Sequence, residues 1–200
     1  MLKVGALLFH HFELLDVFGP FEFFGILGEI HPVELSLIAP DAASVKSYQG
    51  PRSVIDLTAD QIETLDILLV PGGLGTREVV HSSQFLDALK TLAAKSDYVT
   101  SVCTGSGLLA KAGLLDGKRA TSNKLAYDWA TAQSQQTEWI REARWVADGH
   151  TWTSSGVTAG MDMALALIET RYSRTTAEEV ARRAEYLWNR DPSVDPFAIS

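Results

Sequence analysis

The stretch Tyr98-Val99-Thr100-Ser101-Val102-Cys103-Thr104-Gly105-Ser106-Gly107-Leu108-Leu109-Ala110 limits what this chain can fold into more than any other. A β-branched run meets small residues and then a Leu/Ala-rich segment, the pattern of a buried strand turning sharply into a helix with Cys103 at the bend. Side-chain bulk beside a nucleophile at such an elbow collides with neighbouring backbone. Ser101 and Gly105, two residues before and two after Cys103, are small. The spacing is that of a nucleophile elbow with Cys in place of Ser. At the start of the following helix the sulfur would face unpaired N–H groups and the positive end of the helix dipole, so Cys103 is expected to ionise more easily than a free cysteine. A single cysteine also reads as a buried, inert space-filler. The elbow spacing favours a functional thiol.

A chain of 200 residues with 46% hydrophobic content can bury a substantial core, and one domain over 1–200 is expected. Seventeen basic against 25 acidic residues give a formal charge of −8 with no basic cluster, which argues against nucleic acid and anionic membranes as partners and leaves small molecules. Apolar runs such as Ile67-Leu68-Leu69-Val70 are short, so neither a membrane span nor a secretory signal is expected. One cysteine allows no internal disulfide, and a reduced, cytoplasmic setting follows as the expectation.

Leu2 to Phe9 suits a strand buried on both faces of a parallel sheet, whose C-terminal end is where ligands sit in such sheets. Residues 10–24 lead from a loop into an aromatic-rich helix, with Pro20 predicting a break or a restart. Asp16, among Leu14, Leu15, Val17 and Phe18, is read either as a helix cap or as a functional acid. His10, His11 and Glu13 lack a matching ligand set with zinc-like spacing elsewhere, so they are read as a solvated loop and no metal is expected.

Val33–Ala39 reads as a second strand, and Ser44–Lys46 with Ser53–Asp56 as a small hairpin around Gly50-Pro51. Ile67–Val70 is the third main strand, followed at once by Pro71-Gly72-Gly73-Leu74-Gly75. If the strands ending at Val70 and Val102 are neighbours, the Gly72 and Gly73 amides would face Cys103 as an anion-stabilising hole; the alternative is an ordinary strand-to-helix turn.

Phe85–Ala93 has helical spacing, and Gly113 looks like the C-cap of the elbow helix. Strands alternating with helices up to residue 113 imply a mostly parallel sheet covered by helices. Further on, a short strand is expected at Lys118–Thr121, a helical stretch at Leu125–Trp129, and a hairpin over 144–154 with an Asp148-Gly149 turn. Thr158 is a natural N-cap for the next helix, whose first turn holds Asp162 as a stabilising acid. A final amphipathic helix over Thr175–Trp188 precedes a loose tail from Asp191-Pro192.

Together, Leu15-Asp16-Val17-Phe18-Gly19-Pro20, Val70-Pro71-Gly72-Gly73, Thr100-Ser101-Val102-Cys103-Thr104-Gly105-Ser106, the run from Ala112 to Thr121, and Val157-Thr158-Ala159-Gly160-Met161-Asp162 resemble the DJ-1/PfpI superfamily. This resemblance implies an α/β, flavodoxin-like sheet sandwiched by helices, of the class I glutamine amidotransferase-like kind. Cys-Thr-Gly in place of Cys-His is similar to the isocyanide hydratase branch, which implies a cysteine-dependent lyase needing no cofactor. The resemblance assigns Cys103 as nucleophile, Asp16 as a neutral general acid/base, Thr104 as polar support and Gly72 and Gly73 as the backbone hole. Burial of Asp16 among Leu and Phe would favour its neutral form. Ser122-Asn123-Lys124-Leu125 departs from the His and Trp of that branch, and Asn123 is read as pocket lining or as a helix cap, with Lys124 as pocket lining or a solvated side chain. Two other readings stand beside the hydratase: a redox or stress-response thiol, and a non-enzymatic sensor domain of the kind found in AraC-type regulators. The resemblance also implies a homodimer, with Phe18, Phe21 and Phe24 as one candidate face and packing within the protomer as the other account of those rings.

Overall fold

The computed structural model describes residues 1–198. In chain order the elements are β1 (Leu2–Leu7), α1 (Leu14–Leu27), β2 (Val33–Ala39), β3 (Ser44–Lys46), β4 (Arg52–Val54), β5 (Leu57–Thr58), β6 (Leu65–Val70), α2 (Thr76–Val79) and α3 (Ser83–Ala94). These are followed by β7 (Ser96–Ser101), α4 (Gly105–Lys111), β8 (Arg119–Ala120), α5 (Tyr127–Thr131), β9 (Glu138–Trp139), β10 (Trp145–Asp148), β11 (Thr151–Ser154), α6 (Ala159–Arg171) and α7 (Arg174–Arg183).

Seven strands form the main sheet in the order β10-β11-β7-β6-β1-β2-β5. All its pairings are parallel except β10 with β11. β1 and β6 are buried almost throughout, as continuous apolar runs in the middle of a parallel sheet must be, and each of Leu68 and Leu69 contributes about 1.5–3 kcal/mol by leaving water. Helices α1, α6 and α7 pack against one another, while α3 packs on β6 and β7. The mostly parallel, helix-flanked sheet expected from the alternation of elements is the one found.

Register places the site. Val4 pairs with Ile67 and Val70 with Ser101, so β1, β6 and β7 release their chains side by side at one edge of the core. The loops that follow, His10–Glu13, Pro71–Gly75 and Val102–Thr104, therefore meet.

Several local expectations are corrected. Pro20 lies inside an unbroken α1, buried in its interior, so the missing N–H costs one helical hydrogen bond without ending the helix. Phe21 and Phe24 are buried within the protomer, and of the three rings Phe18 alone is exposed, beside Leu15. The 144–154 hairpin pairs Asp148 with Thr151, so its central residues are Gly149 and His150; Gly149 takes the positive φ (+58°) that the first turn position needs. The helix expected over Leu125–Trp129 is α5, starting two residues later.

The last helix ends at Arg183, short of Trp188. Glu185 turns to φ +51°, and the Tyr186 N–H bonds back to the Ala181 carbonyl, a left-handed C-terminal closure. The following residues are drawn to Asp162: Tyr186 Oη and Trp188 Nε1 donate to it, and the Asn189 N–H reaches its Oδ1 at 2.9 Å. Nor is the tail loose. Arg144 N–H donates to the Pro192 carbonyl at 2.8 Å, and Asp195 is buried 3.8 Å from Lys124 and 3.9 Å from Arg144.

Thr158 stands at the N-cap position of α6, but its hydroxyl accepts from Arg144 instead of capping the helix. Asp162 is fully buried, in a 2.6 Å ion pair with Arg144. It is a structural acid; its pKa is raised by burial, against the pull of the guanidinium.

Candidate active site

Cys103 sits between β7 and α4 with φ +58°, the left-handed conformation of an elbow nucleophile. Its N–H is held by the Ser154 and Ser155 carbonyls at 3.2 Å each, and its own carbonyl accepts from Ser122 Oγ at 3.0 Å and Ser106 Oγ at 3.2 Å. Four serines thus fix a strained peptide from both sides. Gly105 is required here because a Cβ would collide with the Val70 carbonyl oxygen and lie 2.8 Å from that of Pro71.

Asp16 arrives in the first turn of α1 and is fully buried. Its Oδ2 accepts the Gly72 N–H at 2.8 Å, while Oδ1 has no partner in hydrogen-bonding geometry. The carboxyl group does not cap its own helix. Burial pushes its pKa well above the usual 3.8, and the nearby Glu13 charge adds to that; the Gly72 amide and the adjoining Cys103 thiol oppose it.

The expected easy ionisation of Cys103 is corrected. The residue is 7% exposed, and burial raises its pKa well above the ordinary thiol value, with the Asp16 charge adding to the rise. The N–H and hydroxyl of Thr104 pull the other way but are outweighed. Thiol and carboxyl therefore form one proton-retaining pair, since two negative charges cannot sit side by side in a dry pocket.

The glycine loop adjoins this pair, but its amides are already engaged. Gly72 N–H binds Asp16, and Gly73 N–H binds Thr104 Oγ1 at 3.1 Å. The hole expected from the sequence is thus occupied by the protein's own oxygens, and the loop orients the acid and the threonine. Gly72 is indispensable to the close approach: a Cβ there would lie 2.9 Å from that of Cys103.

Asn123 both caps and lines. Its Oδ1 accepts the Ala126 N–H at 2.9 Å ahead of α5, while its amide nitrogen lies against Gly156. A cavity of about 250 Å³ opens there, walled by Asn123, Leu125, Val157 and Phe197. Gly156 separates it from the thiol, since a Cβ on that glycine would be 3.1 Å from Sγ. Lys124 is not solvated: its buried ammonium donates to Thr121 Oγ1 at 2.8 Å and the Ala143 carbonyl at 2.7 Å, and burial lowers its pKa to about 8.

The sequence reading missed Gly156, Ser122 and the charge that Glu13 brings near Asp16 and Cys103. Gly156 carried a signal, a glycine two residues ahead of an N-cap, but its contact with Cys103 is non-local. His10, His11 and Glu13 form no metal site, and no group of three or more metal-ligating side chains is found among the described residues.

Residues 2–170 match the model of the DJ-1/PfpI family. The chain is 36% identical over 185 residues to an isonitrile hydratase of Pseudomonas putida, covering 92% of this chain and 78% of that protein. It is 28% identical over 191 residues to the HTH-type transcriptional regulator GbdR of Pseudomonas aeruginosa, covering 92% of this chain but 50% of the regulator. Among solved structures, a THiJ/PfpI family protein from Pseudomonas syringae superposes with a TM-score of 0.82 at 30% identity, covering 92% of this chain and 74% of that one. A buried acid against an elbow cysteine on this sheet, with the match running through nearly the whole chain, leads to one conclusion: the chain belongs to the DJ-1/PfpI family.

Proposed function

We propose that the protein hydrates an isocyanide, R–N≡C, to the N-formamide R–NH–CHO through a covalent bond to Cys103. The observation that carries this reading is the buried Asp16–Cys103 pair, which holds both a nucleophile and a proton in one dry pocket. Similarity to the isonitrile hydratase supports it.

The isocyanide carbon is both electrophile and carbanion-like base, so it needs a thiolate and a proton at the same atom. Sulfur attacks that carbon as the pair's proton passes to it, giving the thioimidate Cys103–S–CH=N–R. Asp16, now a carboxylate, accepts a proton from water as the oxygen adds to the carbon, and the nitrogen is protonated from Asp16. Collapse expels the sulfur, the hydroxyl proton returns to the pair, and R–NH–CHO leaves. The sum is one water added and no redox change. The Gly72 amide holds Asp16, and the Gly73 amide holds Thr104 next to Cys103 in sequence.

The redox-thiol reading uses the same sulfur and requires oxidation of Cys103 by peroxide in place of formamide formation. The sensor reading requires ligand retention without turnover. Incubating the wild-type protein and Cys103→Ala with an aromatic isocyanide, and following formamide by chromatography, separates these readings. Turnover abolished by the substitution is expected; binding without formamide in both chains would overturn the hydratase assignment. We also propose that the protein self-associates as a homodimer, with sedimentation of the purified chain as the test.

A further inference from the structure

Leu125 and Phe197 are apolar side chains left in the open, 100% and 69% exposed. Single exposed apolar residues are ordinary, but these two line one cavity, of about 250 Å³, together with Val157.

The cavity adjoins the thiol. Gly156 belongs to both: it lines the cavity, and a Cβ on it would stand 3.1 Å from Sγ of Cys103 and closer still to the Asn123 amide. Ser155, also in the wall, accepts the Cys103 N–H through its carbonyl at 3.2 Å. Gly156 thus puts no side chain between the sulfur and the cavity. The place is the one where parallel sheets bind ligands, beyond the carboxyl ends of neighbouring strands, here β7 and β11.

Phe197 is exposed yet held. Its N–H donates to Asp195 Oδ1 at 3.0 Å, and that carboxylate is buried 3.8 Å from the Lys124 ammonium and 3.9 Å from the Arg144 guanidinium. The Asp195 N–H in turn donates to the Glu142 carbonyl at 2.7 Å, and the Arg144 N–H to the Pro192 carbonyl at 2.8 Å. A backbone tied down in this way offers the ring as a wall at little further cost in conformational entropy. Phe197 lies past residues 2–170, so the family match does not account for this wall.

The lining selects by polarity and size. Lys124 also contributes to it, but its ammonium is turned to Thr121 Oγ1 and the Ala143 carbonyl at 2.8 and 2.7 Å, which leaves Leu125, Val157 and Phe197 to meet a guest. The volume of about 250 Å³ exceeds the ~150 Å³ that accommodates benzene, so one ring or a branched alkyl group fits. We propose that Phe197 and Leu125 are specificity-determining residues of the thiol site, holding one uncharged apolar group, of single-ring size, on a molecule that reacts at Cys103. In the hydratase reading that group is the substituent R, and only this identification rests on that reading.

The test compares iodoacetamide with N-benzyl-iodoacetamide on the only thiol in the chain. The two share one electrophile, and in each the thiolate forms a carbon–sulfur bond as iodide leaves; they differ by a benzyl group. Rates are followed by intact-protein mass spectrometry at one pH. The ratio of the benzyl rate to the unsubstituted rate, divided by the same ratio for glutathione, cancels differences in thiolate population between variants. This normalised ratio exceeds unity in the wild-type chain and falls about fivefold or more in Phe197→Ala, because the benzyl group then hides less apolar surface from water. Leu125→Ala lowers it in the same direction, and Phe197→Met, which keeps an apolar wall, retains more than half of it. Both truncated side chains are exposed, so the core is untouched by their loss. A wild-type ratio at or below unity, or one that Phe197→Ala leaves unmoved, would overturn the proposal. Formamide production plays no part in this readout, so failure of the hydratase reading and failure of this one are distinguishable.

Discussion

Replacing Asp16 by Asn tests, without any substrate, whether the site acid is kept neutral by burial. An ionised carboxylate in a site with no solvent contact and no cation beside it is costly, and the folded pKa rises well above the ordinary 3.8 in consequence. The stability that protonated Asp16 contributes is fully present below the unfolded pKa and is lost as pH rises toward the folded one. In that window the folded state binds one more proton than the unfolded state. Its contribution to unfolding free energy therefore falls by about 1.4 kcal/mol per pH unit.

The asparagine of Asp16→Asn has no proton to gain. It keeps the bond from the Gly72 N–H through its carbonyl, but its amide group faces the side on which Oδ1 already lacks a partner, a constant loss of about 1–3 kcal/mol. Offset and slope are thus separable. Urea unfolding with and without Asp16→Asn, at half-unit steps from pH 5 to 8 and on a Cys103→Ala background that removes coupling to the thiol, should give a difference that shrinks with pH at up to about 1.4 kcal/mol per pH unit. A difference that stays flat over that range would refute a protonated Asp16, and with it the proton source assigned to the reaction.

Gly105→Ala, which pushes a Cβ into the Val70 and Pro71 carbonyls, should cost about 1–3 kcal/mol in urea unfolding and reduce Cys103-dependent turnover together with it. Asp195→Asn should lower the thermal midpoint more at pH 6 than at pH 9, because Lys124 loses its charge above about 8 and then no longer needs the counter-ion; melts at the two pH values check the sign.

What could be read from the chain was whatever depends on local pattern. Ile67–Val70 and Val99–Ser101 announce buried parallel strands by composition alone, and the elbow is legible because small residues at fixed offsets from Cys103 have a steric cause. Element ends were less legible where a distant partner decides them. Asp162 draws Tyr186, Trp188 and Asn189 out of helical register, and Arg144 with Lys124 pins a tail that reads as polar and loose. The acidity of Cys103 was misjudged for a related reason: helix-end electrostatics is visible in sequence, whereas burial beside Asp16 arises only when β1, β6 and β7 have come together.

The two margins of the main sheet bear on how copies of this protein can meet. On one side β5 contributes only Leu57–Thr58, a ladder too short to template another strand. On the other, the N–H groups at the start of β10 are taken by the Pro192 carbonyl, and the carboxylate of its last residue, Asp148, accepts from the Arg119 N–H. The ends of both margins are thus engaged by the protein's own chain, which limits strand addition from a neighbouring molecule there.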